Sequence, residues 1–129
     1  MNKTKVLIVD DQPGIRRLLL EVFTDEGYEV NVATNGNEAL EQAKEVKPAV
    51  ILMDMKMPGM DGIDALKELK ELGLAERVIM MTAYGELELV TKAKELGAFA
   101  YVTKPFDIIK LCEMVSNYIT GNKENLMIG

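Results

Sequence analysis

Five short apolar runs recur along this chain, each separated from the next by a segment whose apolar residues fall at helical spacing. The runs are Val6 to Val9, Val30 to Ala33, Val50 to Met53, Val78 to Met81 and Phe99 to Val102. All but the second are nearly continuous, the pattern of strands buried on both faces of a parallel sheet. Between runs, Ala39, Leu40, Ala43 and Val46 share a helical face that Pro48 closes, and Leu89, Val90, Ala93 and Leu96 share one that stops at Gly97. Ile108, Leu111, Cys112, Val115 and Ile119 form the last stripe, and Asp61 and Asp107 stand where helix N-caps belong. Strict alternation of strand and helix predicts an α/β fold with right-handed crossovers and helices on both faces of the sheet. The 129 residues suit one domain, predicted over 1–120, with 121–129 as a flexible tail.

What the chain lacks narrows its chemistry. It contains no histidine, which removes Ser-His, Cys-His and His-ligated metal mechanisms and leaves carboxylates, lysine and hydroxyls for any phosphoryl chemistry. Its single cysteine, Cys112, cannot close an internal disulfide; it reads as a core position and fits a reducing cytoplasm. A formal net charge of -6 argues against nucleic-acid binding and against a polybasic membrane surface. No apolar run approaches a membrane span, and the opening residues do not read as a secretory signal. The expectation is a cytoplasmic monomer.

In open parallel sheets, ligands bind beyond the carboxyl ends of the strands. Here run one ends in Asp10 and Asp11, run three in Asp54, run four in Thr82, and run five in Thr103 and Lys104. Three acids at one rim repel one another: at ~4 Å each pair costs about 4 kcal/mol at an effective dielectric near 20. A divalent cation resolves the conflict, and oxygen ligands without histidine or cysteine favour Mg²⁺. An ionised Asp54 could then attack a phosphoryl group to give an acyl phosphate. Lys104 and the Thr82 hydroxyl would each meet a phosphoryl oxygen.

Val9-Asp10-Asp11, Met53 to Gly62, Met81-Thr82-Ala83 and Lys104-Pro105-Phe106 resemble the signature blocks of response-regulator receiver domains, in the right order over residues 4 to about 119. The resemblance implies a flavodoxin-like fold with strand order 2-1-3-4-5. It implies Asp54 as phosphoacceptor, Mg²⁺ held by Asp10, Asp11, Asp54 and the Lys56 backbone carbonyl, and phosphoryl contacts from Thr82 and Lys104. It also implies a cis Lys104–Pro105 peptide. The implied partners are a sensor histidine kinase, a histidine phosphotransferase and a phosphatase. Such a domain catalyses its own Mg²⁺-dependent phosphorylation rather than turning over a substrate. Val9 to Gln12 with Gly14 to Arg16, Met81 to Leu87, Lys94 to Ala98 and Lys104 to Ile108 are similar, more narrowly, to the single-domain intermediates of sporulation phosphorelays. Tyr101 stands where those intermediates carry histidine; tyrosine there is the aromatic half of a Thr82–Tyr101 switch in other receivers.

The first helical segment is more apolar than one stripe requires, and Leu20 lies off the common face. Ile15 and Leu18, with Gln12, Pro13, Gly14, Tyr84, Pro105 and Phe106, are expected to form an apolar collar on which a partner helix docks. The alternative is a chemotaxis-type receiver, a binding module switched by phosphorylation. A flavin module would need a Ser/Thr/Gly loop where two acids stand. A haloacid-dehalogenase-type phosphatase would need a second acid at Lys56, and no nucleotide-binding glycine motif is present.

Overall fold

The computed structural model describes residues 3–57, 59–83 and 86–121. The apolar runs become strands β1 (Lys5–Val9), β2 (Glu29–Ala33), β3 (Val50–Asp54), β4 (Val78–Ala83) and β5 (Ala100–Lys104). The intervening helices are α1 (Pro13–Asp25), α2 (Gly36–Val46), α3 (Gly62–Glu71), α4 (Leu87–Glu95) and α5 (Ile108–Thr120). All strand pairs are parallel, in the order β2-β1-β3-β4-β5. This is the doubly wound sheet that the alternation and the family resemblance imply.

Pleating divides each central strand between two cores. Leu7, Val9, Ile51, Met53 and Met80 face α2, α3 and α4, while Val6, Ile8, Leu52, Ile79 and Met81 face α1 and α5. Buried on both sides, β1, β3 and β4 are continuously apolar; β2, at the edge, leaves Val32 exposed. Cys112 packs half-buried against the α1/α5 core, and burial pushes its thiol up to about 11, as a structural cysteine requires.

Caps fall where the sequence puts them. Asp61 Oδ1 accepts the Asp64 N–H at 2.9 Å, and Asp107 Oδ1 accepts from Ile109 and Lys110. Asp11 does not cap α1: Gln12 holds that position, without a side-chain bond. Two features lie outside the periodic reading. A 3₁₀ turn at Ala75–Arg77 precedes β4, too short to leave a pattern. Strands β4 and β5 also run past their apolar stretches, because Thr82 pairs with Thr103 and Ala83 with Lys104 after apolar cover has ended. The predicted tail beyond Gly121 lies outside the described residues.

Candidate active site

Strand β1 ends at Val9, and backbone and side-chain hydrogen bonds together fix the turn after it. The Asp10 N–H donates to the Ala33 carbonyl at 3.2 Å, and Arg16 donates to the Asp10 carbonyl at 2.8 Å. Asp10 Oδ1 accepts the Gln12 N–H at 2.9 Å. The turn drives Asp10 inwards, fully buried, and leaves Asp11 exposed. Asp54, the last residue of β3, is 8% exposed. Gly62 lets the start of α3 close on this strand end, since a Cβ there would lie 2.8 Å from the Met55 Cα.

Lys104, at the end of β5 and 94 positions from Asp10, supplies the counter-charge. Its Nζ is 2.8 Å from Asp10 Oδ2 and 3.4 Å from Asp54 Oδ1. Asp10, Asp11 and Asp54 each offer a carboxylate oxygen, all within 4.8 Å of one another. Burial raises Asp54 from 3.8 to about 6; Lys104 opposes that shift, and the charges of Asp10 and Asp11 add to it. One ammonium among three carboxylates leaves a surplus of negative charge. The donors are all oxygen, so the cluster fits a hard divalent cation such as Mg²⁺. Lys56 lies exposed in the loop after β3.

Thr82 is also buried, but its hydroxyl meets the Val102 carbonyl only at 3.5 Å, a weak bond. Beside it lies a pocket of about 260 Å³, lined by Thr82, Glu86, Leu87, Val90 and Tyr101 among others. Tyr101 is half-buried, with Lys94 Nζ 5.3 Å from its ring centroid. Tyr101 is the second residue of β5 and shares the pocket with Thr82. The Lys104–Pro105 peptide is cis.

The expected collar divides in two. Gln12, Pro13, Gly14, Leu18 and Pro105 are exposed, Leu18 at 43%. Ile15 and Phe106 are half-buried and pack on the α1/α5 core. Tyr84 lies outside the described residues. One charged residue at the rim went unassigned in the sequence: Glu86, whose Oε1 accepts the Ala83 N–H at 2.6 Å. An isolated glutamate before a helix carries no signal of such a contact.

Residues 6–116 match the model of the response regulator receiver domain family. The chain is 50% identical to sporulation initiation phosphotransferase F of Bacillus subtilis, over 92% of this chain and 96% of that protein. It is 41% identical to the chemotaxis protein CheY of Thermotoga maritima, over 87% of this chain and 94% of that one. The crystal structure of a CheY-like response regulator receiver domain protein from Methanospirillum hungatei superimposes with a TM-score of 0.88 at 29% identity, covering 95% of this chain and 98% of that one. With the fold, the acidic rim and the family match in agreement, this chain belongs to the response regulator receiver domains.

Proposed function

We propose that the chain accepts a phosphoryl group on Asp54 from the phosphohistidine of a sensor kinase and passes it to a histidine of a phosphotransferase, within a relay controlling sporulation. The observation that carries this is the Lys104 ammonium reaching both Asp10 and Asp54 inside a three-carboxylate cluster. An ionised Asp54 oxygen attacks phosphorus, the P–N bond breaks, and the leaving imidazole keeps the electron pair and takes up a proton. Onward transfer is the reverse, with the partner's imidazole attacking and the carboxylate leaving. Asp10, Asp11, Asp54 and the Lys56 carbonyl would hold Mg²⁺, which when bound neutralises phosphoryl oxygens. Lys104 holds the carboxylates in place and would meet a phosphoryl oxygen, as would the Thr82 hydroxyl.

The relay and its link to sporulation are supported by the 50% identity with sporulation initiation phosphotransferase F. A cytoplasmic site of action suits a chain in which no helix of the described residues is long and apolar enough to cross a membrane. Transfer is tested by incubating the phosphorylated chain with a purified histidine phosphotransferase. Hydroxylamine-labile label should leave this chain and appear on the partner's histidine, and Asp54→Asn should take up none. Label retained on this chain in the partner's presence would favour the chemotaxis-type reading, in which the pocket lined by Thr82 and Tyr101 would serve as the switching surface. Leu18→Ala should slow transfer between proteins several-fold while sparing phosphorylation by acetyl phosphate; equal loss with both donors would remove Leu18 from the docking face.

A further inference from the structure

Glu86 is a buried charge at the rim that the proposed transfer does not use. It holds the N-cap position of α4 yet makes no capping bond, turning instead towards the strand ends. Its side chain is 10% exposed. Oε2 lies 3.0 Å from Lys56 Nζ, an ion pair, and among the described residues it receives no directed hydrogen bond.

The strand register explains which donor Glu86 has taken. Met55 N–H donates to the Met81 carbonyl at 3.0 Å, so the next donor on that side of β4, the Ala83 N–H, also faces β3. Its acceptor in a continued ladder would be the Met55 carbonyl. That carbonyl accepts the Gly62 N–H instead, at 2.9 Å. The Ala83 N–H is therefore left at the rim, beside Thr82 and facing the strand that ends in Asp54. Lys56, two residues past Asp54, brings its ammonium to the same carboxylate.

We propose that Glu86 is a built-in stand-in for the phosphoryl group, holding the Ala83 N–H and the Lys56 ammonium in the unmodified chain and releasing both when Asp54 is phosphorylated. This rests on Asp54 being the phosphoacceptor. A phosphoryl group there brings roughly two negative charges and three strong acceptor oxygens. It repels the Glu86 carboxylate and competes for the same two donors. Glu86 thereby restrains phosphorylation, and its release loosens the pocket it lines with Thr82 and Tyr101.

The test is phosphorylation by acetyl phosphate at fixed Mg²⁺, with beryllofluoride affinity measured in parallel. Glu86→Ala should raise both the rate and the affinity by about three-fold or more, with Glu86→Gln in between because it keeps an acceptor but loses the charge. Adding Lys56→Met should cost about three-fold more in the Glu86→Ala background, where the ammonium is free, than in the parent. A merely structural Glu86 would lower the melting temperature and show no such coupling. Should Glu86→Ala fail to fold, Glu86→Gln alone carries the test. Unchanged or slower phosphorylation in a folded variant, or an equal Lys56→Met penalty in both backgrounds, overturns the stand-in while leaving Asp54 intact. A parent chain that takes no label at Asp54 overturns both.

Discussion

At the ends of β1, β3 and β5, a single ammonium spans two buried carboxylates at 2.8 and 3.4 Å. At the end of β4, the buried Thr82 hydroxyl reaches an acceptor at 3.5 Å, and a pocket of about 260 Å³ lies next to it. The first half is held by paired charge around the fully buried Asp10, where partners are hard to separate. The second half is held by a weak bond and by the contacts of Glu86 with the Ala83 N–H and the Lys56 ammonium. The charge-paired carboxylates are therefore the more tightly held of the two, and Thr82 and Tyr101 the less.

The sharpest way to break this contrast is to remove the ammonium. Lys104→Met strands the fully buried Asp10 carboxylate and should cost about 3 kcal/mol of stability in EDTA at pH 7, read by urea denaturation. A loss below about 1 kcal/mol would mean that the chemical half is not held by charge.

Asp54→Asn should act in the opposite direction. Burial raises the Asp54 carboxyl to about 6 in the folded chain, against 3.8 as the reference, so the folded state binds the proton more tightly than the unfolded one. The parent's stability from this group is therefore complete below about pH 4 and is lost as the pH rises through 6. Asparagine removes that loss. In EDTA the variant should gain about 2 kcal/mol over the parent at pH 7, and the gain should vanish near pH 4. A constant difference across that range would show that Asp54 ionises in the fold as it does in water.

The smallest stability effect belongs to Thr82. Thr82→Val gives up a long hydrogen bond and should change stability by less than about 1 kcal/mol. It should nevertheless abolish the change in Tyr101 ring resonances that beryllofluoride produces in the parent. If those resonances are the same with and without beryllofluoride in the parent, the pocket is not a switch.

Periodicity gave away most of the fold, because burial on two faces writes itself into a strand as an unbroken apolar run and burial on one face writes a helical stripe. The Asp61 and Asp107 caps were legible for a similar reason: a cap acts on donors two or three residues away. Ile15 and Leu18 mark where this stops. They look alike as sequence, yet one packs on the α1/α5 core and the other stands 43% exposed, a difference set by where α5 and the loops come to rest.

By itself, then, the sequence determined the five strands and helices and put Asp10, Asp11, Asp54, Thr82 and Lys104 at strand ends, since each of these depends on neighbours close along the chain. Only the tertiary structure decided that Lys104 meets Asp10 across 94 positions, that Asp11 stays exposed beside a buried neighbour, and that Glu86 holds the Ala83 N–H and Lys56. Those outcomes depend on strand order, register and the direction in which each loop turns, and such quantities exist only once the sheet has assembled.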